Sequence, residues 1–399
     1  MLRPDTFALT ALLAALSAYG PLTTDMYLSS MPDIARQLSA TTAAVQFTIS
    51  AYLFGMAFGQ IFYGPISDRY GRKPVLLGAL GIYGIAGLAC ALAASIDLLI
   101  AARIFQAFGA AGLLVVTRAV VRDLYSGARA GRELSVIAAV MALGPVLAPV
   151  VGGLLQTAFG WRSVFLALVL VGLAGIAAVI FLLPETLRAR ATDKFSLASM
   201  LSSFGGLLRH PAYLAYLGLG TFSYAGLMVW ISSAAFVLQD IYGLTPFGFG
   251  VLFALGALGY MAGSTFAARR VTHLGLDKVV GIGSAILVIG SLGMVAALAL
   301  TPASAIALTV AMAVYTAGLG IVLSQSIAGA LTPFPDRAGT ASSLFGVFQQ
   351  SIAAIGGAGI GLLMGHSAWP VVLMIGMFAC LTLGLWFVSR AARLKAVKS

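Results

Sequence analysis

Twelve long apolar stretches follow one another along this chain, at 7–30, 42–63, 75–95, 98–121, 134–157, 163–183, 212–238, 247–268, 279–300, 303–331, 339–364 and 369–389. A membrane helix needs about 20 predominantly apolar residues, so each stretch can cross a bilayer. Lipid offers no partner to a free peptide group, which leaves helices as the form such stretches take. Of the 399 residues, 60% are hydrophobic and only 9% charged, and the mean hydropathy is +1.02. A water-soluble fold could not hide that much apolar surface. The reading is an all-α integral membrane protein with 12 transmembrane helices. The first stretch is longer than a signal-peptide core and eleven more follow it, so it is expected to remain as the first span. Cys90 and Cys380 lie inside apolar stretches, where packing explains them.

The net charge of +11 has a topological explanation rather than a nucleic-acid one. If the N-terminus is cytoplasmic, all of the 23 Lys and Arg except Arg36, Arg103 and Arg162 fall on the cytoplasmic side, as the positive-inside rule requires. An even number of spans with both termini cytoplasmic follows. The longest polar connection, 185–211, divides the spans six and six. It is expected to link an N-terminal six-helix bundle at 1–184 to a C-terminal one at 212–399. A shift of 204 residues lays Gly59 on Gly263, Gly71 on Gly275 and Gly152-Gly153 on Gly356-Gly357, an internal repeat. Paired bundles of this kind hold a site near the midplane and work by rocking, which implies transport.

Charge inside a span costs about 2.5 to 3.5 kcal/mol on insertion scales, so Asp25 in span 1 and Arg103 in span 4 require a reason. Counting at 1.5 Å per residue from the outer polar turns places them roughly 12 and 9 Å deep, similar enough for contact. Two readings stay open. Desolvation opposes the charged carboxylate while a guanidinium favours it, so Asp25 can carry a proton; alternatively the two form a permanent ion pair that orients helices. Between spans 2 and 3 lies the charged turn Gly64-Pro65-Ile66-Ser67-Asp68-Arg69-Tyr70-Gly71-Arg72-Lys73-Pro74. Asp68 is expected to accept from free amides at a neighbouring helix start, and Arg69 and Arg72 to pair with Asp123 at the inner end of span 4. That cluster reads either as an inner latch or as a plain solvated turn. Span 5 carries Gly144, Pro145, Pro149, Gly152 and Gly153, which remove backbone hydrogen bonds and permit close approach.

The Gly64 to Pro74 string resembles the signature loop of the major facilitator superfamily. Arg103 resembles the arginine of its helix 4 motif, and Gly144 to Gly153 is similar to the helix 5 motif of its proton antiporters. Thr24-Asp25-Met26-Tyr27-Leu28 and Arg118-Ala119-Val120-Val121-Arg122-Asp123-Leu124-Tyr125 resemble the Bcr/CflA drug-efflux branch. The resemblance implies export of small amphipathic antibiotics or toxic metabolites in exchange for protons, with coupling by Asp25 and Arg103 and gating by Gly64, Asp68, Arg69, Arg72 and Asp123. Two departures stand out. Ser29 replaces a frequent proline, and the second-half hairpin Arg269-Arg270-Val271-Thr272-His273-Leu274-Gly275 lacks the acid, so the inner latch is expected on one side only.

The alternative function is proton-coupled or facilitative transport of a small metabolite such as a sugar or organic acid, which calls for more polar residues in spans 7 to 12 than are present. Candidate substrate contacts are Tyr27, Gln106, Tyr224, Trp230, Gln349 and Gln350, an aromatic and amide set suited to apolar ligands. His210, His273 and His366 are scattered, and no metal-ligand spacing, nucleotide loop or nucleophile–base set is present. An enzyme is therefore not expected, nor a cofactor or metal. The expected partners are a drug-like small molecule, protons and membrane lipid, with no nucleic acid, for a monomer in the bacterial inner membrane.

Overall fold

The computed structural model describes residues 6–125, 127–187, 204–334, 338–365 and 367–396. Every apolar stretch of the sequence falls on helix. The first half contains α1 (Phe7–Ser17), α2 (Tyr19–Leu28), α3 (Met31–Gln37), α4 (Thr42–Tyr70), α5 (Arg72–Ala91), α6 (Ile96–Leu124), α7 (Gly127–Phe159) and α8 (Trp161–Leu182). The second contains α9 (Pro211–Ala235), α10 (Pro246–Leu274), α11 (Leu276–Leu300), α12 (Ala305–Leu331), α13 (Ala338–Leu363), α14 (Trp369–Val388) and α15 (Arg390–Ala396). Among the described residues ten helices are long and apolar enough to span a membrane, and the bent pair α1–α2 makes an eleventh. The remaining stretch is carried by α7, 33 residues long, or about 50 Å at 1.5 Å per residue.

Local chemistry sets the helix ends. Thr41 accepts from the Ala44 amide at 3.2 Å to open α4, Ser95 from Leu98 at 3.3 Å to open α6, and Ser304 from Ala307 at 3.2 Å to open α12, each satisfying an otherwise free donor. The first span bends by 48° between α1 and α2. Pro21 explains the break, because it has no amide to give the Ser17 carbonyl four residues earlier.

The chain forms two compact units, Met1–Phe195 with Thr245–Gly250, and Ser196–Leu244 with Val251–Ser399. Residues 188–203, most of the polar connection expected at 185–211, lie outside the described residues. Within each unit the internal repeat has a structural counterpart. Gly59 seats α4 on Phe108 and Ala111 of α6, and Gly263 seats α10 on Ala317 of α12. Gly71 and Gly275 both precede a helix at positive φ, +103° and +78°, a region that glycine enters without a Cβ penalty.

Candidate functional site

Arg103 lies on α6, fully buried. Its guanidinium carbon sits 4.6 Å from the Tyr27 ring centroid and 4.2 Å from that of Tyr52. Nη1 donates to Gln106 Oε1 at 3.0 Å and to the Thr23 carbonyl at 3.5 Å, while Nε and Nη2 meet no acceptor among the described residues. The cage is itself tied down. Tyr27 shares a 2.6 Å hydrogen bond with Thr48, and Tyr52 donates to the Gly20 carbonyl at 3.3 Å. The compensation for this buried cation is thus aromatic, an arrangement worth about 2 kcal/mol or more once desolvated.

Asp25, on α2, is 5% exposed. It makes no ion pair or hydrogen bond among the described residues, and Arg103 is not within ion-pair reach. The contact expected from matched depths is therefore absent, and with it the permanent ion pair. Depth fixes height in the membrane, but the turn of each helix about its own axis decides which side chains meet. Tyr27 and Gln106, both expected at substrate, are instead buried against Arg103.

The helix that carries Asp25 packs on α7. At Gly152 a Cβ would collide with the Met26 carbonyl, and at Gly144 it would meet Pro21, so the small residues of α7 let it lie directly on α2. One turn beyond Gly152, the Gln156 amide donates to Asp33 Oδ2 at 2.9 Å, and Gln37 donates to the same oxygen at 3.0 Å. Pro145 and Pro149 are accommodated inside α7, which stays helical through both. Gly153 is buried too.

The second cluster is built on Arg72. The expected turn over 64–74 is narrower than the sequence suggests: α4 runs through Pro65 to Tyr70, Gly71 alone turns, and α5 starts at Arg72. Arg72 Nε donates to Asp123 Oδ2 at 2.8 Å, and Nη1 donates to Asp68 Oδ1 at 2.5 Å and to Ser67 Oγ at 2.7 Å. The free amides at the start of α5 do not go to Asp68. Glu185, just past α8, accepts both, from Arg72 at 3.0 Å and Lys73 at 3.1 Å. Asp68 sits in the last turn of α4 with its carboxylate toward Arg72, which is why it cannot also cap α5. Arg69 forms no ion pair among the described residues and lies 5.7 Å from the Tyr70 ring. Gly64 has open space where a Cβ would be.

In the second unit, Arg393 of α15 is fully buried. It donates to Asp277 Oδ1, in the first turn of α11, at 2.7 Å, to the Trp386 carbonyl at 2.7 Å, and to Ser389. The hairpin there does lack an acid, but a charged clasp is present with different partners. Trp230 is buried, and Tyr224, Gln349 and Gln350 are half-buried. Gln350 Oε1 meets no donor among the described residues.

Residues 7–357 match the sequence model of the Major Facilitator Superfamily. The chain belongs to that superfamily. It is similar to a chloramphenicol resistance protein of Pseudomonas aeruginosa, 32% identical over 97% of this chain and 92% of the relative. It is also similar to a bicyclomycin resistance protein homolog of Haemophilus influenzae, 29% identical over 99% of each chain. Among solved structures, an inward-facing bacterial homolog of the human lysosomal transporter Spinster shares the fold, with a TM-score of 0.76 at 16% identity over 98% of both chains. As a member of the Major Facilitator Superfamily the chain is a transporter of small molecules and not an enzyme, a multi-pass protein of the inner membrane.

Sequence reasoning missed Glu185. Its only local signal is an acid just after the sixth apolar stretch, and besides the adjacent amides of Thr186 and Leu187 its partners lie more than a hundred residues earlier.

Proposed function

We propose that this transporter is a proton-coupled multidrug exporter that moves small amphipathic antibiotics or toxic metabolites outward, by alternating access, against an inward flow of protons. The observation that carries the reading is the state of Asp25. It is a carboxyl inside a span, in a position that costs stability, and no guanidinium among the described residues consumes it. An acid locked in an ion pair is held ionised, whereas an acid without such a partner is free to gain and lose a proton as the surroundings change. With only 5% of its surface exposed, Asp25 exchanges that proton when the α1–α2 break and the α7 contact shift. The names of the two relatives support antibiotics as the substrate class.

The test pairs drug susceptibility with proton flux. Expression of the native chain raises the tolerated concentration of chloramphenicol or a similar drug, and adding the drug to reconstituted vesicles drives proton movement. In Asp25→Asn, folded and inserted, proton movement is lost. Protection absent in the native chain overturns export, and coupled flux surviving in Asp25→Asn removes Asp25 from the proton path.

A further inference from the structure

The first span and α7 run side by side, and their seam holds a second acid. Near the start of α7, Glu133 Oε2 accepts from Thr10 Oγ1 of α1 at 2.6 Å. Thr10 is 7% exposed and Glu133 is half-buried. Further along the same seam come Gly144 opposite Pro21, Gly152 opposite Met26, and Gln156 on Asp33. Asp25 therefore lies between two hydrogen-bonded acids, Glu133 toward one end of the seam and Asp33 toward the other. Positive-inside topology puts Glu133 on the cytoplasmic side.

We propose that Glu133 is a second proton-carrying acid of this transporter, at the inner end of the α1–α7 seam, held by Thr10 in both of its protonation states. The inference rests on the antiport reading. A hydroxyl is the partner such a group needs, because it donates to a carboxylate and accepts from a carboxylic acid, whereas an arginine would fix the charged form. Asp33 contrasts with it, since Gln156, Gln37 and Arg36, the last at 3.6 Å, all present donors.

Among the described residues, the charged and titratable groups on the helices around Glu133 are few. α1 carries none. α2 carries Asp25 with Tyr19 and Tyr27, α6 brings Arg118, Arg122 and Asp123 at its inner end, and α8 carries only Arg162, at its start. On α7 itself the neighbours in sequence are Arg129 and Arg132, and Arg129 lies 5.1 Å from the Tyr125 ring. No salt bridge to Glu133 is present among the described residues.

Glu133→Gln separates titration from structure, because glutamine keeps an oxygen to accept from Thr10 and loses only the exchangeable proton. Reconstituted native protein, Glu133→Gln and Glu133→Asp are compared in two assays: chloramphenicol counterflow, which needs no net proton movement, and chloramphenicol-driven proton flux as a function of the pH on the cytoplasmic side. The expected result is counterflow retained in all three, with loss of proton flux and of its pH dependence in Glu133→Gln and their return in Glu133→Asp. Glu133→Gln with native flux and native pH profile overturns the proposal. So does loss of counterflow in Glu133→Gln that Glu133→Asp does not restore, which assigns Glu133 to packing. Native protein that shows counterflow but no proton flux removes the antiport reading, and this inference with it.

Discussion

A guanidinium held between two phenol rings differs from one held by a carboxylate in what can replace it. Arg103 uses the flat faces of Tyr27 and Tyr52 and the amide of Gln106 together, and a lysine cannot reproduce a planar, stacked, multi-donor group. Arg103→Lys is therefore expected to lose about 2 kcal/mol of cation–π stabilisation and most transport, read as a lower thermal midpoint and slower drug counterflow. At the second cluster, Arg72 is 6% exposed at its side chain, Asp123 19% and Asp68 50%. The more buried partner should matter more. Asp123→Asn is expected to cost about 1.5 to 3 kcal/mol, the range for a hydrogen bond to a charged group, and Asp68→Asn less than 1 kcal/mol, as for an exposed pair. Equal losses in denaturation midpoint for the two variants would contradict that ranking.

At the scale of helices, the contact between α2 and α7 carries the strongest constraint. A methyl group at Gly152 meets the Met26 carbonyl, backbone that cannot rotate away, so Gly152→Ala must push the two helices apart. Overpacking of this kind costs about 1 to 3 kcal/mol, and the displacement falls one residue from Asp25. The expected outcome is a loss of coupled transport larger than the loss of thermal stability, while Gly64→Ala, which points into open space, leaves both unchanged. What was legible in the sequence follows the same division between local and distant. Apolar length located every membrane-spanning helix, but not the short α3 and α15, which lie outside the apolar stretches, nor the 48° bend in the first span. The azimuth of Asp25 relative to Arg103 was not legible, since spacing along a helix gives height and no lateral partner. Glu185 was hidden for a similar reason: the two α5 amides it accepts from lie across a gap in sequence that no periodic pattern bridges.

For the molecule as a whole, the sign of the exchanged charge decides what the membrane can drive. Each 100 mV moves one elementary charge with about 2.3 kcal/mol, or roughly 40-fold in concentration at 1.4 kcal/mol per decade. An exchange of one proton for one neutral molecule moves net charge and draws on that potential. An exchange of one proton for one monovalent cation moves none. In vesicles carrying an imposed potential and no pH gradient, an exchange of one proton per drug would therefore concentrate a neutral drug and leave a monocationic drug at equilibrium, while a pH gradient without potential would drive both. If potential alone concentrates the cation as well, more than one proton moves per cycle, and Asp25 cannot be the only carrier. Repeating the measurement in Glu133→Gln then has a definite expectation. With drug-driven proton flux lost in that variant, potential-driven accumulation of the neutral and the cationic drug alike should disappear while counterflow continues.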